Sequence, residues 1–345
     1  MTDEFIVIGA GALGLASAEA LLLQGVTVTV LERGAVGRES SWAGGGILSP
    51  LCPWDYPDVV TRLTTRGAAL FGAWAESLYQ ATGIDPEYQV SGMLVLPPFD
   101  MEAAERWCAA HGMQAIREGS GLLLPDVAQA RNPRLLQSQR ARVEQLGGRI
   151  VEHCTVQEID AGQGRVSRLR TDCGEFSAQR YLVTAGAWSA QVAGKWAGQA
   201  DIKPIRGQML LFKFATPPLR HILLQDGLYL IPRKDGHLLV GSTLEDVGFD
   251  KLTTASAREM LLQRAITLLP ALRDQPLVQQ WAGLRPGSPD NIPRIGRHPE
   301  LGNLYINSGH FRYGVTMAPA SVEVLLDEIN GKEPSFDSSP YQWRA

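Results

Sequence analysis

The first strong pattern along the chain is an unbroken apolar run, Phe5-Ile-Val-Ile8, of the kind that suits a strand buried on both faces. Glycines follow at 9, 11 and 14, after which Leu15, Ala18, Leu21 and Leu22 recur at helical spacing as far as Gly25. A second apolar run, Val26 to Leu31, ends at Glu32. Strand, glycine turn, helix and strand with a terminal acid form the dinucleotide fingerprint in its proper context.

Beyond this unit the periodicities change. Pro57 to about Thr82 places Leu63, Leu70, Trp74 and Leu78 on one helical face, Glu87 to Leu96 reads as extended, and Ala103 to His111 as helical. Met113 to Arg140 reads as loop-rich, with a helix starting in Arg131-Asn-Pro-Arg134. Gly147 to Val156 returns to strand character, followed by hairpin-like segments over Glu158 to Leu169 and Arg170 to Phe176. Tyr181 to Ser189 is an apolar strand entering a small-residue turn and a helix. Pro204 to Lys213, Leu228 to Pro232 and His237 to Gly241 read as strands, the last two joined by a turn at Arg233-Lys-Asp-Gly236. Ser256 to Leu269 is an amphipathic helix closed by Pro270, Leu304 to Asn307 a strand, and Ala318 to Ile329 a helix, with an irregular tail from Gly331. Strands in succession break the opening rhythm and indicate a separate antiparallel domain inserted into the dinucleotide domain.

Composition narrows the function classes. The 345 residues, 45% apolar and 20% charged, fit a soluble protein of two domains or one large α/β domain with an insertion. A formal charge of −4 offers no basic surface for nucleic acid. Cys52, Cys108, Cys154 and Cys173 form no CxxC pair and the histidines no ligand spacing, so neither a disulfide framework nor a metal site is expected. A reducing cytoplasm fits this usage. No basic leader precedes the first strand, and no apolar stretch is long enough to span a membrane.

The candidate chemistry follows the glycines. Gly9 permits the tight turn, Gly11 a close approach of backbone to pyrophosphate, and Gly14 close packing of helix on strand. The amides of Ala12 and Leu13 lie at a helix N-terminus, which favours an anion, and Glu32 would accept hydrogen bonds from ribose hydroxyls. Ser40 and Ser41 followed by Gly44 to Gly46 read as a second cofactor-contacting loop, and the turn at Ala185 and Gly186 as a third approach. Gly309-His-Phe-Arg-Tyr-Gly-Val-Thr316, leading into the last helix, repeats the logic of the opening.

Together these segments resemble the D-amino acid oxidase family of flavoproteins across essentially the whole chain. The resemblance rests on the fingerprint with Glu32, Gly37-Arg-Glu-Ser-Ser-Trp-Ala-Gly-Gly-Gly46, Gly186-Ala-Trp-Ser189 and Gly207-Gln-Met209. It extends through Tyr229 with Pro232-Arg-Lys-Asp-Gly236, Gly241-Ser-Thr-Leu-Glu245, Trp281-Ala-Gly-Leu-Arg-Pro286 and Gly309-His-Phe-Arg312. It implies an α/β protein with a Rossmann-like FAD-binding domain assembled from residues 1–84, 145–203 and 284–345. Residues 85–144 and 204–283 would form an inserted α+β substrate domain built on an antiparallel sheet.

By the same resemblance, Ala12, Leu13, Glu32, Arg33, Ser40 and Ser41 meet the ADP half of FAD, with the backbone of Val156 on the adenine side. Gly45, Gly46, Ile47 and the segment His310, Phe311, Arg312, Tyr313, Gly314, Val315 and Thr316 meet the flavin. Arg285 pairs bidentately with a substrate carboxylate, Tyr229 donates to it, and Arg312 is a third group at the substrate. The implied reaction is hydride transfer from the α-carbon of glycine, sarcosine or a small D-amino acid to flavin N5, with O2 as acceptor. Its products are an oxo acid, ammonia or amine, and hydrogen peroxide. An arginine fork fixes a carboxylate in two hydrogen bonds, so placement alone serves this chemistry without a dedicated base.

Covalent relatives attach flavin through a C-terminal cysteine or an N-terminal histidine. Here the last cysteine is Cys173 and the first histidine His111, so FAD is expected to be non-covalent. The sequence departs from the family at Tyr313, where asparagine is usual, and at Gly227, where some members carry histidine. The resemblance also implies a homotetramer and a role in forming the thiazole of thiamine. Arg285 would read the carboxylate and not the nitrogen substituent. A sarcosine or D-amino acid oxidase and a quinone-linked dehydrogenase therefore remain alternatives. A nicotinamide enzyme is disfavoured by the single fingerprint, and a flavin-binding sensor by the presence of both Arg285 and Tyr229.

Overall fold

The computed structural model describes residues 3–344. Its first sheet has six strands in the order Arg294–Arg297, Leu304–Ser308, Ala178–Val183, Asp3–Ile8, Val28–Leu31 and Arg149–Val151. All neighbours are parallel except the edge pair Arg294–Arg297 and Leu304–Ser308. Phe5 and Val7 point into a core shared with the helices Ala12–Leu23, Asp58–Thr82 and Gly314–Asn330. Ile6 and Ile8 point the other way, into a core with Ile159, Leu169, Tyr181 and Ile306 under a three-stranded sheet over residues 156–176. Burial on both faces is why the opening run shows no polar alternation.

The second sheet has eight strands: Leu277–Gly287, Lys203–Lys213, His237–Gly241, Leu228–Pro232, Ile222–Gln225, Met93–Leu96, Gly121–Leu124 and Ile116–Glu118. It is the antiparallel sheet expected from the sequence, with one parallel pair where Ile222–Gln225 runs beside Met93–Leu96. The chain between those two strands contributes to the first sheet before returning, a long crossover of the kind parallel pairing requires. One face packs Leu210, Leu230 and Val240 against the helix Ala255–Leu268, and the other presents Met209, Tyr229 and Ile231.

Helix Asp58–Thr82 ends at Gly83, whose φ of 70° supplies the left-handed cap, and it crosses the last helix at Gly67. A Cβ on Gly67 would stand 2.1 Å from the Thr316 carbonyl oxygen, so glycine sets how closely these helices approach.

Several sequence expectations are revised. The stretch read as loop-rich contains the strands Ile116–Glu118, Gly121–Leu124 and Ala128–Gln129. Trp281 to Pro286 lies inside an eleven-residue strand, Leu277–Gly287, so the division at residue 284 falls within a strand. The last helix starts at Gly314, four residues earlier than its apolar periodicity indicated. The tail is irregular in path but anchored, with Tyr341 and Trp343 buried.

The cysteine expectation is also overturned, since Cys154 and Cys173 form a disulfide. Strands Val156–Gly162 and Arg165–Thr171 fold back on each other, which brings residues 19 apart in sequence to a Cα separation of 5.7 Å. The argument from cysteine usage to a reducing compartment loses that support. No helix among the described residues is long and apolar enough to cross a membrane.

Candidate active site

One elongated cavity runs from the carboxyl ends of the parallel strands to the face of the second sheet that carries Met209 and Tyr229, and every site residue named from the sequence lines it except Gly14. Gly14 acts behind the wall. A Cβ there would stand 1.9 Å from the Gly9 carbonyl oxygen, and one on Gly9, whose φ is 110°, 2.7 Å from the Thr184 carbonyl oxygen. Only glycine lets the helix start this close to the strand.

At this end the first amides of helix Ala12–Leu23 face the cavity at Ala12 and Leu13, where they have no partner within the helix. The Ala12 N–H donates to Ser41 Oγ at 3.0 Å, and Asn132 Nδ2 donates to the Ser41 carbonyl at 2.7 Å, which fixes the Ser40–Ser41 turn. Glu32 is 7% exposed; its carboxylate accepts from the amides of Ala10 at 2.8 Å and Gly34 at 3.0 Å. Each oxygen keeps lone-pair capacity for a hydroxyl donor. The Arg33 guanidinium lies 3.5 Å over the Trp188 ring and pairs with Glu39 at 2.7 Å. Cys154 and Thr155 complete the wall beside Val156.

The middle of the cavity is walled by Ala185 and Gly186 on one side and Gly45, Gly46 and Ile47 on another. Gly46 has a φ of 73°, and its missing side chain would collide with the Ala130 carbonyl oxygen at 2.0 Å. Thr316 Oγ1 donates to the Ile47 carbonyl at 3.2 Å, joining this loop to the start of the last helix at Gly314 and Val315. His310 is buried with Nε2 2.8 Å from Ser321 Oγ, and burial pushes its pKa down to about 3, so the ring is neutral. Phe311 adopts a φ of 45°, and its amide donates to the Pro286 carbonyl at 3.0 Å. The Tyr313 hydroxyl donates to that of Tyr56, with the two rings edge-on at 5.1 Å. The tyrosine standing in place of the family's asparagine is therefore engaged with Tyr56.

At the far end, antiparallel register places Arg285 opposite Ile205 and sets Met209, Gly241 and Tyr229 side by side across three strands. Glycines make the room. A Cβ on Gly207 would lie 2.0 Å from Arg285 Nη1, and one on Gly241 2.2 Å from Met209 Sδ and 2.8 Å from the Tyr229 ring. Arg285 Nη1 donates to the Thr243 carbonyl at 3.2 Å and Nη2 to Ser242 Oγ at 2.6 Å. Thr243 is held in turn: its hydroxyl donates to Glu245 and accepts from the Gln208 amide at 2.8 Å, while Arg206 Nη2 donates to Glu245 at 2.6 Å. The Tyr229 hydroxyl donates to Met209 Sδ at 3.3 Å.

Burial pushes the Arg285 guanidinium below its ordinary value, and the neighbouring Arg312 cation pushes the same way, against an opposing pull from Tyr229. Among the described residues, no carboxylate pairs with Arg285 or Arg312, and the strands forming this end place no carboxylate in the lining. Two clustered cations without an anion make a receptor for one.

Met209, Ser242 and the carbonyl of Thr243 are contributors that the sequence did not reveal. Met209 and Gly207 sit at alternate positions of one strand and so share its cavity face, a signal available from the period of two. Ser242 and Thr243 lie just beyond a strand, and no periodicity could have found them.

The comparisons agree with this geometry. The model of the DAO family, described as FAD dependent oxidoreductase, matches residues 4–327. A glycine oxidase of Pseudomonas aeruginosa is 40% identical, covering 99% of this chain and 98% of that protein. The bifunctional protein ThiO/ThiG of Synechocystis sp. is 32% identical over 95% of this chain, which spans 52% of that longer protein. The crystal structure of glycine oxidase from Geobacillus kaustophilus superposes with a TM-score of 0.92 at 25% identity, covering 99% of this chain and 98% of that one. With the fingerprint, the discontinuous parallel sheet and the match along nearly its full length all in agreement, the chain belongs to the DAO family of FAD-dependent oxidoreductases.

Proposed function

We propose that this chain is a glycine oxidase, with sarcosine and small D-amino acids as further substrates. The residues lining the first half of the cavity fit FAD. Gly9, Gly11 and Gly46 let bare backbone form the wall where any side chain would strike its neighbours, the helix N-terminus at Ala12 and Leu13 suits a pyrophosphate, and Glu32 suits a ribose. We read its binding as non-covalent, because the lining Cys154 is held in a disulfide and the lining His310 is engaged with Ser321. When bound, FAD supplies the two-electron acceptor that takes a hydride from the substrate α-carbon and passes the electrons to O2.

The chain's own residues do the placing. Arg285, seated by Ser242 and the Thr243 carbonyl, retains donors for both oxygens of a carboxylate. Tyr229 turns its hydroxyl from Met209 to the same carboxylate, and Arg312 adds a second positive charge. With the carboxylate held at two points, the α-carbon is set at one distance and angle, which supplies much of the rate. The lone pair of the neutral amine forms the C=N bond as the hydride leaves the α-carbon, and the resulting iminium adds water and releases glyoxylate and ammonium. Among the described residues, the end of the cavity lined by Tyr229 and Tyr313 carries no carboxylate.

The observation that carries this reading is the pair of arginines without acidic partners at one end of a cavity whose other end carries the fingerprint. The experiment is a substrate panel of glycine, sarcosine, D-alanine and an amine without a carboxylate. Oxygen uptake with stoichiometric peroxide for the first three and none for the last supports it. Equal turnover of the amine contradicts it. We also read the site residues as divided between a cofactor domain on the six-stranded sheet and a substrate domain on the eight-stranded one. The family's homotetramer is the assembly we expect, checked by light scattering. A role in thiazole synthesis for thiamine is tested by whether a deletion strain requires thiamine.

A further inference from the structure

The loop Gly44 to Gly46 has no side chains with which to hold itself, yet it walls the cavity. It is held from behind by Arg233, the residue following strand Leu228–Pro232. Arg233 Nη2 donates to the Gly45 carbonyl at 2.7 Å, and Nη1 donates to the Ala130 carbonyl at 3.0 Å and to Gln129 Oε1 at 2.6 Å. The Ala130 amide returns a hydrogen bond to the Gly46 carbonyl at 2.9 Å. Gln129 is locked by its own donation to the Pro232 carbonyl at 3.1 Å. One guanidinium thus gathers residues 45, 129, 130 and 233 into a single unit.

This arginine is 4% exposed, and among the described residues no carboxylate lies within ion-pair distance of it. Burial lowers its pKa to about 10, so it remains charged at neutral pH. With no ion pair of its own, this cation is offset by the Gly45 and Ala130 carbonyls, the Gln129 amide oxygen and the more distant charges of Glu87 and Asp235, against the repulsion of Arg131, and it costs more to bury than a neutral staple for the same loop. The charge stands directly behind a wall one residue thick.

We propose that Arg233 is a positioning residue for the flavin: its fork sets the Gly45–Ile47 backbone against the ring, and its charge favours the negatively charged reduced cofactor. This rests on the assignment of the cavity to FAD. Charge placed near a flavin ring is one of the means by which a protein tunes it.

The test compares R233Q and R233K with the wild-type holoenzyme, reading the FAD dissociation constant and the two-electron midpoint potential. R233Q loses fork and charge. Its FAD affinity falls at least tenfold, and the equilibrium shifts against the reduced form about tenfold, or ~30 mV for a two-electron couple. R233K keeps the charge without the fork, so affinity falls while the potential stays at the wild-type value. Affinity and potential in R233Q both within twofold of wild type overturn the proposal, whatever happens to its Tm. Should R233Q not fold by circular dichroism, R233K decides: weaker binding at unchanged potential supports the proposal, and unchanged binding overturns it. A wild-type protein that takes up no FAD is a separate failure, of the cavity assignment itself, and is read before the variants are compared.

Discussion

Arg285 concentrates the site's chemistry in one side chain. Ser242 and the Thr243 carbonyl occupy one donor on each terminal nitrogen and leave its remaining donors for a carboxylate. Lysine would keep the charge and lose the planar fork. R285K is expected to lower kcat/KM for glycine about 10- to 100-fold, since hydrogen bonds to charged groups contribute roughly 1.5–3 kcal/mol. Most of the loss should appear in KM, and steady-state kinetics at saturating O2 checks it.

His310 makes a prediction about pH. Its folded pKa of about 3 lies below the ordinary value of 6.5, so between those values the unfolded chain binds the extra proton. This contribution to stability is complete above pH 6.5 and declines as pH falls towards 3. Tm measured across that window should fall less steeply in H310N than in the wild type. Parallel Tm curves would contradict the assignment of a neutral buried ring.

At the scale of elements, the substrate end depends on strands brought into register. Gly207 is the tightest point, because a methyl group there would lie 2.0 Å from the Arg285 guanidinium on the neighbouring strand. G207A should displace that fork and lower kcat/KM at least tenfold, with FAD content unchanged in the absorption spectrum. The strand carrying Arg285 was not legible in the sequence for a physical reason. Gly283 and Pro286 interrupt any strand pattern there, yet Leu277–Gly287 is an edge strand, where a proline's missing N–H need not cost a ladder bond. The opening strand, helix and strand were legible because their pattern is local and each glycine has a separate steric task. The disulfide was not, because Cys154 and Cys173 meet only once the two strands between them, Val156–Gly162 and Arg165–Thr171, fold back on each other.

Over the whole molecule, the cavity exists because segments distant in sequence close around it. Thr184 Oγ1 donates to the Ile8 carbonyl at 3.0 Å within the first sheet, and Trp281 Nε1, on the second sheet, donates to the Ala43 carbonyl at 3.0 Å across the site. Length and composition pointed to two domains or one large α/β domain with an insertion, and the family resemblance named the residues of both ends. Neither showed the clamp at Arg233 or the seat of Arg285, which arise from side chains meeting across the interior. The tail is a second long-range tie. Trp343 is buried against His298, and its Nε1 donates to the Ala197 carbonyl at 2.9 Å. W343A should cost about 3–5 kcal/mol of stability, measured by denaturant unfolding of the holoenzyme.

The central claim is that this cavity joins an FAD to a carboxylate-reading site for glycine. It is tested most directly by mixing the purified protein with glycine without oxygen and following the flavin band near about 450 nm. The account predicts rapid bleaching that air reverses, with peroxide released in equal amount. A yellow protein that glycine leaves unbleached, while sarcosine and D-alanine also fail, would contradict it.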